Sequence, residues 1–113
     1  MASLLLTFCA VFQMVGADSK PDPRVKQIQS YLRENFGMPG YETTWYKSIK
    51  SVSIDGVNVV AQINTTVHAS NVCSGISGFV YDRTKSHQLQ GVVIEDLAKQ
   101  VLVRRRSVAD PCR

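Results

Sequence analysis

The spacing of apolar positions divides the chain into stretches of helical and of strand period. Val25, Ile28, Leu32 and Phe36 recur at intervals of three and four, while Arg24, Lys26, Gln27 and Arg33 take the other side. That is the stripe of an amphipathic helix. Asp22 supplies an N-cap carboxylate, and Pro23 suits a first helical position that needs no N–H. Gly37 ends the pattern and Pro39 bars its return. The spacing predicts a helix over 23–36.

From Trp45 the period drops to two. Lys50, Val52 and Ile54 alternate with mostly polar neighbours, and so do Val57, Val59, Ala61 and Ile63 beyond Asp55-Gly56. An Asp-Gly pair between alternating runs signals a hairpin. Strands are therefore predicted over 45–54 and 57–66, with Asp55-Gly56 as the two-residue turn. In "HASNVCSGISGFVYDRT" helical spacing returns: Val72, Ile76, Phe79 and Val80 share a face, with Cys73 alongside. Gly75 and Gly78 weaken a helix intrinsically, and their expected use is close approach to a neighbouring element. A helix is predicted over 69–82. The polar stretch "RTKSHQ" leads to a second hairpin, with strands over 90–95 and 100–106 around Asp96-Leu97-Ala98-Lys99. The tail 107–113 is irregular.

The order is αββαββ. It predicts an α+β fold: a four-stranded antiparallel sheet covered on one face by two helices. The length of 113 residues suits one domain, and 44% apolar with 19% charged residues is a globular composition.

Residues 2–17, "ASLLLTFCAVFQMVGA", carry no charge and are followed at once by "DSKPDPR". The apolar centre, Leu4 to Val15, is short for a membrane span and has the length of a signal-peptide core. Val15-Gly16-Ala17 fits the small-x-small pattern before a cleavage site. The expected organisation is a signal peptide over 1–17 and a single domain over 18–113, giving a secreted, periplasmic or envelope location. No Lys or Arg precedes the core. A buried N-terminal helix or strand and a retained membrane anchor are the alternatives. Phe8 stands before Cys9 where a lipoprotein signal requires a small residue.

Removing 1–17 leaves two cysteines, Cys73 and Cys112. An exported chain with two cysteines usually pairs them. The expected disulfide pins the tail to the second helix and closes a loop of close to 40 residues, worth about 4 kcal/mol by chain entropy. Two cysteines without a CxxC motif, and two distant histidines, do not form a metal set. No metal or cofactor is expected.

The formal net charge is +4, a mild excess that favours anionic partners without selecting one. Arg104, Arg105 and Arg106 are the most pointed feature. On a strand Arg104 and Arg106 share one face and Arg105 takes the other. Arg104 and Arg106 are the candidate binding residues, able to hold phosphate or carboxylate groups. The alternative is a solvated edge whose long cationic side chains discourage strand pairing with other chains.

Other chemistry has little support. His68 and His87 could form the acid–base pair of a small ribonuclease only if the fold brought them together. Glu95 and Asp96 are adjacent, which points them apart on a strand and makes a poor glycosidase pair. "CSGISG" is not a GxSxG elbow, and neither a phosphate-binding loop nor a dinucleotide fingerprint is present. Tyr41, Trp45 and Tyr46 suit the closure of one end of a small core, or contact with sugars or lipid. Asn64-Thr65-Thr66 is a glycosylation sequon that would matter only in a eukaryotic secretory pathway.

"TTWYKSIKSVSIDGVNVVAQINT", "VCSGISGFVY" and "GVVIEDLAKQVLVRRRSVADPC" together resemble small secreted or envelope proteins of actinobacteria without assigned function. That resemblance spans most of 18–113 and brings no catalytic residue with it. In topology the chain also resembles the BON domain, an αββαβ envelope module proposed to bind phospholipid, with Gly91 an approximate counterpart of the glycine after its second helix. The expectation is a non-catalytic secreted or envelope-associated module that binds a protein or an anionic surface. A small secreted hydrolase such as a ribonuclease is the alternative. Nucleic acid is not an expected partner, and peripheral membrane contact is compatible with the charge.

Overall fold

The structure is a computed structural model and describes residues 21–113. The proposed signal peptide lies outside the described residues. Helix α1 spans Pro23–Phe36. Asp22 caps it, its carboxylate accepting the Arg24 backbone N–H at 2.9 Å, and the Arg24 guanidinium closes back on the same carboxylate at 2.6 Å. That side-chain bond, with the backbone bond behind it, holds the Asp22 carboxyl below its ordinary value. A lowered folded-state value stabilises the cap at neutral pH, and the contribution fades only as acid titrates the carboxylate. Ile28 and Leu32 are buried, as their spacing predicts.

Strands β1, Ile49–Asp55, and β2, Asn58–Ile63, form the first hairpin. Val52 lies opposite Ala61 and Ile54 opposite Val59. Asp55 pairs with Asn58, so the two-residue loop is Gly56-Val57, one position later than expected. Gly56 takes φ +63° at the first central position, a place that type II′ turns reserve for glycine. The first strand also starts later than expected. Tyr46–Ser48 form a 3-10 turn, held by the Ser48 hydroxyl donating to the Trp45 carbonyl at 2.6 Å.

A second 3-10 turn, Thr66–His68, leads into α2, Ala69–Val80. Strands β3, Gly91–Glu95, and β4, Val101–Arg105, complete a sheet of order β1-β2-β3-β4. The class and element order match the pattern reading, and both helices pack on one face of the sheet. The expected all-antiparallel sheet needs one correction: β2 runs parallel to β3, so the sheet is mixed. The reason is the connection. Parallel neighbours need a crossover, and the 12 residues of α2 rise about 18 Å, close to the length of a six-residue strand. The helix returns the chain to where β2 began, and Gly91 enters beside Asn58.

The core lies between the sheet and the helices. Val59, Ala61, Ile63, Val92 and Ile94 meet Ile28 and Leu32 of α1 and Val72, Ile76 and Phe79 of α2. Both α2 glycines serve close approach. A Cβ on Gly75 would come within 2.6 Å of the Trp45 ring, and one on Gly78 would meet the Tyr31 hydroxyl. Among the described residues no helix is long and apolar enough to cross a membrane.

Cys73 and Cys112 form a disulfide, with Cα atoms 6.1 Å apart, a pairing that points to an oxidising, extracytoplasmic setting. Cys73 is fully buried. The bond spans a separation of 39 residues, so changing both cysteines to alanine is expected to cost about 4 kcal/mol. A urea titration checks this. The midpoint should fall and the slope should steepen, because the unlinked chain unfolds to a more open state, and an unchanged midpoint would show that the bond adds nothing to stability.

Candidate functional site

The register of β4 assigns its side chains to two faces. Ile94 and Val92, both buried under the helices, pair with Val103 and Arg105. Arg104 pairs with Val93 and so belongs, by strand alternation, to the face without helices. Arg106 follows two positions on, toward that same side. A register shift between Ile94 and Glu95 places Val101 opposite Glu95 and leaves Leu102 as the extra residue. Leu102 accordingly packs on the core.

Arg105 is committed to the fold. Its guanidinium lies 4.5 Å from the centre of the Tyr81 ring. It also donates to the Ser107 carbonyl from Nε at 3.2 Å and to the Val108 carbonyl from Nη2 at 2.8 Å. Partial burial pushes the Tyr81 hydroxyl above its ordinary pKa, while the Arg105 cation pulls it the other way. The Tyr81 hydroxyl donates to the Gln90 carbonyl at 2.8 Å. Arg105 therefore clasps the end of α2 and the start of the tail.

Arg104 and Arg106 differ from it. Among the described residues neither guanidinium has a hydrogen-bonded or ion-paired partner. They line a shallow depression of about 360 Å³ together with Val101, Leu102, Asp110 and Arg113. Arg113 was not among the residues singled out from sequence. Its N–H donates to the Arg104 carbonyl at 3.1 Å and its carbonyl accepts the Arg104 N–H at 3.0 Å. That double exchange is a hydrogen-bonded antiparallel pair, whose two side chains leave the same face. The tail segment thus adds one bridge to the outer edge of β4 and a third arginine to the depression. Asp110 sits between, with Oδ1 3.6 Å from Nη2 of Arg113 and Oδ2 accepting the Arg106 N–H at 3.4 Å. The signal for Arg113 in the sequence is its place beside Cys112, which is readable only once the disulfide and the strand pairing are known.

The remaining candidates are structural or separate. His68 stands before the first turn of α2, and His87 contacts the Phe79 carbonyl at its far end, at 3.1 Å. The helix holds the two histidines apart. His87 Nδ1 accepts the Leu89 N–H at 2.9 Å, so Nε2 carries the proton and donates to Phe79. The His87 ring stacks on Phe79 with centroids 5.1 Å apart. This histidine braces the loop after α2. Trp45 packs on Phe36 at 4.7 Å and Tyr46 covers Gly37, while Tyr41 is 86% exposed. Among the described residues no group of three or more His, Cys, Asp or Glu side chains could hold a metal ion.

A larger cleft of about 890 Å³ opens between α1 and residues 85–88. Its cations are largely engaged. Arg24 is held by Asp22 and donates to the His87 carbonyl at 2.6 Å, and Lys85 lies over Phe79 and within 3.8 Å of Asp82. The arginine depression is the better candidate, because the Arg104 and Arg106 guanidinium groups have no partner among the described residues.

No protein-family model, curated protein sequence or solved structure matches the chain. Function is therefore read from the chemistry of the site itself.

The different duties of the arginines are measurable. Arg105→Ala removes a cation–π contact and two hydrogen bonds, and is expected to cost about 1–2 kcal/mol. Arg104→Ala, half-buried but with no side-chain partner among the described residues, and Arg106→Ala, exposed, should each stay within about 0.5 kcal/mol of the parent. Urea denaturation of the three variants checks the order. Equal losses at all three positions would contradict it.

Proposed function

We propose that this protein is a non-catalytic, exported binding module that recognises an anionic partner in or near the cell envelope through Arg104 and Arg106. The observation that carries this reading is that these two guanidinium groups face one shallow depression without partners among the described residues, while their neighbour Arg105 is fully employed. An unpartnered guanidinium presents a planar fork of donors matched to phosphate or carboxylate oxygens. The depression is part-open to solvent at the edge of β4, so oxyanions displayed on a surface or polymer can reach it. The disulfide and the charge-free run over 2–17 support an extracytoplasmic place of action. The mature chain then begins at or near Asp18, which N-terminal sequencing of exported material tests directly. An intact Met1 in that material would refute removal of the segment.

Binding to phosphatidylglycerol-containing vesicles and to heparin, by sedimentation at low and high salt, tests the recognition. Affinity should fall steeply with salt, since exposed charges are screened. Each basic residue at a charged surface is worth about 1 kcal/mol, or about fivefold in affinity. The double change Arg104→Ala with Arg106→Ala should therefore weaken binding about 25-fold, and Arg105→Ala much less. Absence of binding by the parent protein, or equal loss from all three positions, would mean that the arginines are a solvated strand edge.

A further inference from the structure

Resting on the anionic site just described, we infer that Arg113 is its third ligand-binding residue and that the Cys73–Cys112 bond presents it, so that reducing the bond withdraws one of three cations. The chain of causes is geometric. Cys73 is on the buried side of α2, within the helix layer. To reach it, the Cys112 side chain must point to the helix side of the sheet, and Cys112 does pack on the core there. In an extended segment the next residue points the opposite way. Arg113 therefore leaves toward the open face, and its two backbone hydrogen bonds to Arg104, at 3.0 and 3.1 Å, set it directly beside that residue. Arg104 and Arg106 reach the same depression from β4. The end of β4 and the tail that follows it thus converge on one place.

The other anchors of the tail are few. Arg105 holds Ser107 and Val108, but these lie before Asp110; past Asp110 the tail is held, among the described residues, by the disulfide, the Arg104 pair, a 3.8 Å contact of the Ser77 hydroxyl with the Cys112 sulfur and the ion pair of Arg113 with Asp110. The contact of Arg113 with Asp110, at 3.6 Å, joins an exposed guanidinium to a half-buried carboxylate, with the Arg113 side chain 76% exposed. Such a pair is weak, and an incoming oxyanion can displace it.

The release step is thiol–disulfide exchange. Cys73 is sealed and Cys112 is half-buried, so a dithiol reductant attacks through its thiolate at the Cys112 sulfur. The S–S bond breaks, Cys73 leaves as thiolate and takes a proton, and a mixed disulfide forms with Cys112. The second thiol of the reductant then closes the reductant's own disulfide and frees the Cys112 thiol. Two electrons and two protons pass from reductant to protein. The ligand chemistry is that of phosphate or sulfate oxyanions. Vesicles bearing phosphatidylglycerol and heparin distinguish a lipid source from a sulfated polymer.

Four forms test the inference on both probes: parent and Arg113→Ala, each oxidised and each reduced by a dithiol, with far-UV circular dichroism as the check on folding. Oxidised Arg113→Ala is expected to bind about fivefold more weakly than the oxidised parent. Reduction of the parent should produce the same loss, and reduction of Arg113→Ala no further one. That non-additivity is the signature of two changes acting through one residue. Reduced parent that binds as tightly as oxidised parent overturns the inference while leaving the Arg104 and Arg106 reading intact. So does a further equal loss on reducing Arg113→Ala. A reduced parent that loses its helical signal makes the bond a staple of the whole fold and also overturns it. No binding by the oxidised parent removes the site itself and the inference with it.

Discussion

The Cys73–Cys112 bond joins the sealed side of α2 to a tail that has few other attachments. Because the bond draws Cys112 toward the helices, strand alternation sends Arg113 the other way. The pairing of Arg113 with Arg104 then follows. One covalent link therefore decides both how the chain closes and how many cations face the open side of the sheet. The same link shortens the reach of the unfolded chain, which is where most of its stabilising effect arises in the chain-entropy view.

Helix α2 is the element on which these constraints meet. It returns the chain to start β3 parallel to β2, and it carries the inner cysteine. It also supplies two close approaches, Gly75 to Trp45 and Gly78 to Tyr31. At its end, Phe79 accepts the His87 contact and Tyr81 receives Arg105. Arg105 thus ties β4 to the α2 end, while the Arg104 and Arg106 guanidinium groups stay unengaged among the described residues. Three consecutive arginines of identical chemistry are separated into different duties by the pleat of one strand.

Much of this was legible in the residues. The helical stripe of Val25, Ile28, Leu32 and Phe36, with Asp22 and Pro23 before it, marks α1 to its bounds. Alternation locates the first hairpin, the turn Asp96-Leu97-Ala98-Lys99 separates the second pair of strands, and the two cysteines left beyond the expected signal peptide suggest their own pairing. What escaped is non-local. Period two says nothing about the direction of neighbouring strands, so the parallel β2–β3 pair required the crossover to be seen. Trp45 reads as a strand aromatic, yet its ring is needed beside Gly75 and Phe36, and residues 46–48 turn to place it there. Arg113 is one basic residue in an irregular tail, and nothing in its own neighbourhood announces a partner nine positions earlier.

The central claim is that the disulfide holds the tail in register against β4. Native-state amide hydrogen exchange of oxidised and reduced protein, resolved by residue, tests it most directly. In the oxidised protein the amides of Arg104 and Arg113, each bonded to the other's carbonyl, should exchange slowly. On reduction both should become fast while Val59, Val92 and Ile94, in the centre of the sheet, keep protection against the rest of the fold. Equal protection of Arg104 and Arg113 with and without the bond would contradict the account.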